Sequence, residues 1–314
     1  MSLVSGVVFV VQFLWLLVKI TYYSLVSLVV FCIPSFLRTK KDVSNEIVLI
    51  TGGACGFGRL YALEFTKRGA TVVLWDINVD GAKAVAEECT SLGGKAFAYK
   101  VNVASSEDVY KAAADVTKDV GDVTILVNNA GVVNGTTLLD TPDKLLHRTI
   151  DVNVKAAMWL YKAFAPNMLK NNHGHIVTMA SVAGFYGVWN LADYCASKYA
   201  VCGLEEAMYY DMKLYENQGV HSTIIHPFFM NTGMFAGVEV GYPSVLPMLK
   251  PEHVMKGCMD AILTNQRYVY SPGYIFRPAL VLKQIIPDKA LTAANLFFKF
   301  DSQMQTFTGR QKKD

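Results

Sequence analysis

The sequence is poor in charge and in cysteine. Only 18% of its 314 residues are Asp, Glu, Lys or Arg, against roughly 25% in ordinary soluble domains. The two signs nearly cancel, with 29 basic and 26 acidic residues and a net charge of +3. No basic stripe is interleaved with aromatics, which excludes a surface built for nucleic acid. The six cysteines (Cys32, Cys55, Cys89, Cys195, Cys202 and Cys258) show neither CxxC nor Cys/His spacing. That excludes a disulfide scaffold and a zinc site, so no metal is expected. Reduced, packed thiols in a cytosolic environment are expected instead.

What is abundant is apolar. Hydrophobic residues make up 52%, and mean hydropathy is +0.28. The length suits one large domain with an appendage. Residues 3–37 carry a single charge, Lys19. The run is apolar from Leu3 to Val18 except at Ser5 and Gln12, and again from Ile20 to Leu37, with interruptions at Ser24, Ser27 and Pro34. One helix of about 35 residues would be about 50 Å long, against a hydrocarbon core of about 30 Å. A tilted span, a span plus an interfacial helix, and a hairpin turning near Lys19 all fit. A cleaved signal peptide does not, because no charged n-region precedes the run and the run is too long. Arg38, Lys40 and Lys41 follow it, so the positive-inside bias puts the rest of the chain in the cytosol. The sequon Asn134-Gly135-Thr136 is then expected to stay unmodified.

Residues 46–50, Glu-Ile-Val-Leu-Ile, read as a buried strand. Thr51-Gly52-Gly53-Ala54-Cys55-Gly56-Phe57-Gly58 follows, then a helical pattern from Arg59 to Arg68. Strand, glycine turn and helix make a dinucleotide site: the backbone approaches the pyrophosphate, and the helix N-terminus supplies N–H donors. The candidates are Gly52, Gly56, Phe57 and Gly58. The next strand, Thr71 to Trp75, ends at Asp76, 18 residues after Gly58. An acid near that distance accepts from the adenosine ribose hydroxyls and repels a 2′-phosphate. NAD is therefore expected over NADP.

Strand Ala96–Val101, helix Glu107–Lys118 and strand Thr124–Val127 continue the alternation. The fold expected is α/β, a Rossmann-type doubly wound parallel sheet of about seven strands behind an N-terminal hydrophobic membrane segment. Asn128-Asn129-Ala130-Gly131 lies at a strand's carboxyl end, where such sheets bind ligands. One long helix from Pro142 to Lys170 is expected to carry Asn153. Strand His175–Met179 leads to Ser181. Tyr194 and Lys198, four apart, share one face of the next helix. A neighbouring ammonium lowers a phenol's pKa, so Lys198 is expected to make Tyr194 a usable base.

The order TGxxxGxG, NNAG, Asn, Ser and YxxxK resembles the short-chain dehydrogenase/reductase family over roughly residues 45–270. Leu74-Trp75-Asp76-Ile77-Asn78 and Ala192-Asp193-Tyr194-Cys195-Ala196-Ser197-Lys198 are similar to its membrane-bound retinol and 17-beta-hydroxysteroid dehydrogenase branch. The resemblance implies that Tyr194 takes the hydroxyl proton and Ser181 orients the reacting oxygen. It implies that Lys198 tunes Tyr194 and holds the nicotinamide ribose, and that Asn153 positions a relay water. Asn102 would lie near the adenine, where many relatives have Asp. Asn128 and Ala130 would lie near the cofactor, and Thr232 near the carboxamide. Phe228 stands where Gly is usual. It and Phe229 are expected to line the substrate mouth or to pack in the core.

The implied activity is NAD-dependent oxidation of a lipophilic alcohol, first all-trans-retinol, then a steroid 17-beta-alcohol. A membrane or lipid-droplet recruitment protein retaining a dehydrogenase fold is the alternative. Residues 1–41 are read as anchor and basic flank, 42–272 as catalytic domain and 273–314 as a C-terminal extension on the membrane surface or closing the core. Placement at the endoplasmic reticulum membrane or a lipid droplet is expected. A homodimer through the helices bearing Asn153 and Tyr194 is a candidate assembly.

Overall fold

A computed structural model describes residues 3–33, 37–214 and 219–309. Pro34 and residues 310–314 lie outside the described residues. The chain forms two compact units, Met1–Lys41 and Asp42–Asp314.

In the first unit, helix α1 (Leu3–Cys32) is continuous for 30 residues, so no hairpin turn forms at Lys19. Its stretch Ser5–Val29 is long and apolar enough to cross a membrane. Val7, Phe9, Trp15 and Tyr23 are exposed on it.

The second unit is a doubly wound sheet. Its strands are β1 (Ile47–Thr51), β2 (Thr71–Asp76), β3 (Lys95–Lys100), β4 (Ile125–Asn128), β5 (Gly174–Met179), β6 (Val220–Pro227) and β7 (Tyr268–Ser271), all parallel, in the order β3-β2-β1-β4-β5-β6-β7. The central strands are continuous apolar runs because helices cover both faces. On one face, α2 (Gly56–Thr66), α3 (Val79–Ser91) and α8 (Pro251–Leu263) pack on Val48, Ile50 and Val72. On the other, α4 (Ser106–Asp119) and α6 (Ala156–Lys170) pack on Leu49, Val73 and Trp75. Each large side chain fully buried this way contributes about 1.5–3 kcal/mol. The strand order reverses between β1 and β4, which opens a crevice at their carboxyl ends.

The expected long helix before β5 is instead three pieces. Helix α5 (Asp143–Ile150) runs into a π-helical turn, Asp151–Lys155, and then into α6. Such wide turns cluster at functional sites, and this one carries Asn153. Helix α7 (Ala192–Leu214) bears Tyr194 and Lys198. Beyond β7 lie α9 (Gly273–Lys283) and α10 (Asp288–Phe297).

Candidate active site

The first wall of the crevice is the glycine turn. Thr51 ends β1, and its Oγ1 accepts from the N–H groups of Asn129 and Ala130, each at 3.0 Å. Asn129 Nδ2 donates back to Thr51 O at 2.8 Å. The turn is thus fastened to the end of β4. A Cβ on Gly58 would stand 2.1 Å from Gly52 O, so only glycine lets α2 begin this close to the turn. Cys55 caps α2 without a side-chain bond, which leaves first-turn N–H groups open to an anion. These features fit a dinucleotide pyrophosphate.

Asp76 stands at the rim. Its carboxylate accepts from Ala54 N at 3.0 Å and Asn78 N at 2.9 Å. It therefore braces the glycine turn as well as facing the cleft. Asn102 Oδ1 accepts from Ala104 N at 3.1 Å.

Ser181 follows β5. Its Oγ accepts from Ala183 N at 3.1 Å and donates to Pro227 O at 3.4 Å. Tyr194 and Lys198 are each only 5% exposed. Lys198 Nζ lies 5.6 Å from the Tyr194 ring centre and donates to Met179 O at 2.7 Å. Asn153 Nδ2 donates to Ser197 Oγ at 2.9 Å and Val132 O at 3.0 Å, and its Oδ1 accepts from Val132 N at 2.8 Å. The π turn thus ties the loop after β4 to α7, one residue before Lys198.

The electrostatics differ from the sequence expectation. Burial pushes the Tyr194 phenol up, and a hydrogen bond from Ser181 offsets only part of that. Burial also brings the Lys198 ammonium down, to about 8. In a low-dielectric pocket, desolvation disfavours the charged form of each group, raising the phenol and lowering the ammonium.

A cleft of about 1290 Å³ brings together Gly52, Gly56, Phe57, Asp76, Asn102, Ala130, Ser181, Tyr194, Lys198, Phe228, Phe229 and Thr232. Gly58, Asn128 and Asn153 do not line it. Asn128 sits in β4 opposite Thr178, with the neighbouring Asn129 in the wall instead. Phe228 and Phe229 both line the cleft and pack in a core cluster with Phe276 and Leu246. Cys195 is buried, and its sulfur accepts from Val188 N at 3.3 Å. It serves packing, as expected.

Sequence reasoning missed His226. It is buried on β6, and its ring stacks on Tyr270 at 4.9 Å. Its Nδ1 lies 3.1 Å from Ser181 O. A carbonyl only accepts, so Nδ1 carries the proton. Burial holds the imidazole neutral, with its pKa down to about 4. Leu191 and Phe307 were also missed; both line the cleft. No local motif marks these contacts.

The sequon also turns inward. Asn134 Nδ2 donates to Asp193 Oδ2 at 2.7 Å and Thr149 Oγ1 at 3.0 Å. That nitrogen would carry the glycan, so an unmodified Asn134 reports the fold as well as the membrane side.

The family profile of short chain dehydrogenases matches residues 46–241. Short-chain dehydrogenase/reductase family 16C member 6 of Bos taurus is 44% identical over 298 residues, 94% of this chain and 92% of that protein. Epidermal retinol dehydrogenase 2 of Mus musculus is 43% identical over 277 residues, covering 88% and 89%. Estradiol 17-beta-dehydrogenase 11 of Macaca fascicularis is 40% identical over 282 residues, covering 88% and 93%. Among solved structures, a metagenomic short-chain oxidoreductase in complex with NADP superposes with a TM-score of 0.61 at 26% identity, covering 73% of this chain and 96% of that one. A Burkholderia phymatum short-chain dehydrogenase/reductase in complex with NAD shares the fold, with a TM-score of 0.68 at 24% identity, covering 76% and 92%. With such identity over nearly its whole length, the chain belongs to the short-chain dehydrogenase/reductase family, in the retinol and 17-beta-hydroxysteroid dehydrogenase branch, and is an alcohol dehydrogenase.

Proposed function

We propose that the protein oxidises a lipophilic alcohol with NAD, all-trans-retinol to all-trans-retinal being the first candidate. One observation carries this: Ser181, Tyr194 and Lys198 converge on a single cleft that is walled by Phe228, Phe229 and Phe235.

The residues divide the work. The glycine turn and the start of α2 hold the pyrophosphate. Asp76 holds the adenosine ribose, and its charge disfavours a 2′-phosphate. Asn102 faces the adenine, Asn128 supports the cofactor wall from behind, and Thr232 faces the carboxamide. When bound, the dinucleotide supplies the oxidised nicotinamide that takes the hydride. Ser181 orients the alcohol oxygen by hydrogen bonding. Tyr194 takes the hydroxyl proton as the carbonyl forms, so electrons and proton leave on separate carriers. Lys198 holds the nicotinamide ribose, and its charge opposes the burial that keeps the Tyr194 proton on. Asn153 fastens the frame of Tyr194 and Lys198 and holds the water that returns the proton to solvent.

The 25-residue stretch Ser5–Val29 supports an anchor in the endoplasmic reticulum membrane or at a lipid droplet, with the catalytic unit in the cytosol. Exposed Tyr274, Val281, Ile285, Leu296 and Phe297 on and beside α9 and α10 support a membrane-surface role for the C-terminal extension. A homodimer through α6 and α7 completes the reading.

A steroid 17-beta-alcohol is the second candidate, supported by the identity to estradiol 17-beta-dehydrogenase 11. Microsomes holding the full chain, screened with retinol, estradiol and long-chain alcohols against NAD and NADP in parallel, test the reading. Retinal formation with NAD is expected. No turnover of any lipophilic alcohol overturns it. Tyr194→Phe should abolish turnover and leave membrane placement intact. A cellular role that survives this change favours recruitment over catalysis.

A further inference from the structure

The C-terminal chain returns to the cleft after α10. Glu239 N donates to Gln303 O at 3.2 Å, and the N–H groups of Thr308 and Gly309 both donate to Ala236 O, at 2.9 and 3.2 Å. Thr306 Oγ1 donates to Gly237 O. Gln303 and Met304 are buried, each 2% exposed. Four hydrogen bonds and two buried side chains thus stitch residues 303–309 to the loop that follows β6.

Phe307 then reaches the opposite wall, the loop that follows β4. Its ring lies flush against Gly135, where a Cβ would stand 2.1 to 2.9 Å from three ring carbons. Gly135 has φ +72°, a conformation that side chains rarely adopt. The close approach therefore needs glycine twice over. Phe307, Thr308 and Gly309 line the same cleft as Ser181 and Tyr194. Phe235 sits on the stitched loop, and its ring meets Tyr194 at 6.0 Å and Phe229 at 5.0 Å. The strap thus packs Phe307 against the hydrophobic cluster that holds Tyr194, Phe228 and Phe229. It lies outside residues 46–241, the part shared with the family at large.

We infer that Phe307 is a specificity-determining residue. By bridging the two loops it sets the width of the substrate end, so that slender, extended lipophilic alcohols fit and broad fused-ring alcohols are held off. The inference rests on the activity proposed above. A ring that narrows the substrate end discriminates by shape, since even one methylene too many in an apolar pocket is worth about 10- to 200-fold.

The test is the ratio of kcat/KM for estradiol to that for all-trans-retinol, measured on the full chain in microsomes. Phe307→Ala should raise this ratio about tenfold, mainly through a lower KM for estradiol. Phe307→Leu, which keeps apolar cover but reaches less far, should give a smaller rise. Gly135→Ala, which pushes the ring away, should move it the same way. An unchanged ratio, or parallel loss on both substrates in all three variants, overturns the inference. Failure of the wild-type protein to oxidise any lipophilic alcohol is a different result, which sinks the proposed function itself.

Discussion

Lys198 spends its Nζ on the carbonyl oxygen of Met179, at 2.7 Å. That single bond, from α7 to the end of β5, fixes a buried ammonium whose pKa has fallen to about 8. Below pH 8, Lys198 is protonated in both folded and unfolded chains. Between pH 8 and the ordinary value of 10.5, the unfolded chain binds more protons, so stability rises with pH across that window. Lys198→Met should remove this rise, seen as the difference between the two melting curves against pH. It should also cut kcat/KM by about 100-fold or more. A wild-type stability that stays flat or falls relative to Lys198→Met between pH 8 and 10.5 contradicts the sign.

Ser181 lowers the proton affinity of Tyr194 against the burial that raises it. Ser181→Ala should therefore do two things. It should lower kcat by about 100-fold through the lost hydrogen bond to the reacting oxygen. It should also move the rising limb of the kcat/KM profile for alcohol oxidation to higher pH. A limb that stays in place while kcat falls assigns Ser181 to orientation alone.

The strands that build the crevice were legible because buried parallel strands leave unbroken apolar runs, as Val48–Ile50 and Val72–Trp75 do. Tyr194 and Lys198 were legible because a four-residue spacing fixes one helix face. The π turn at Asp151–Lys155 was not, since Ile150 and Val154, four apart, fit an ordinary helix face. The upward push of burial on the Tyr194 phenol was not legible, because it depends on how deeply α7 is buried, which spacing does not encode. His226 and Phe307 act through Ser181 and Gly135, 45 and 172 residues away in sequence. Contacts of that range have no local pattern.

Asp76 both faces the ribose position and accepts from Ala54 N and Asn78 N. Removing the carboxylate outright therefore disturbs the glycine turn as well as the ribose contact. Asp76→Ala should weaken NAD by about tenfold or more, and NADP less. Asp76→Asn keeps an acceptor for the turn and drops the charge. It should raise kcat/KM with NADP while lowering it with NAD. Equal losses with both cofactors in both variants would refute the assignment.

His226 offers the sharpest acid-side test. Its neutral imidazole donates from Nδ1 to Ser181 O, and its pKa is down to about 4 from an ordinary 6.5. As pH falls from 6.5 toward 4, the unfolded chain takes up a proton that the folded chain refuses, so this residue makes stability fall with acid. His226→Asn places an amide N–H near the Nδ1 position and does not titrate. It should flatten the acid slope and keep most activity. His226→Phe leaves the buried Ser181 carbonyl without its donor, at about 1–3 kcal/mol, and frees the backbone that aims the Ser181 hydroxyl. It should therefore lower kcat more than it raises KM. If both variants lose activity equally while the acid slope persists, the bond from His226 to Ser181 does not position the serine.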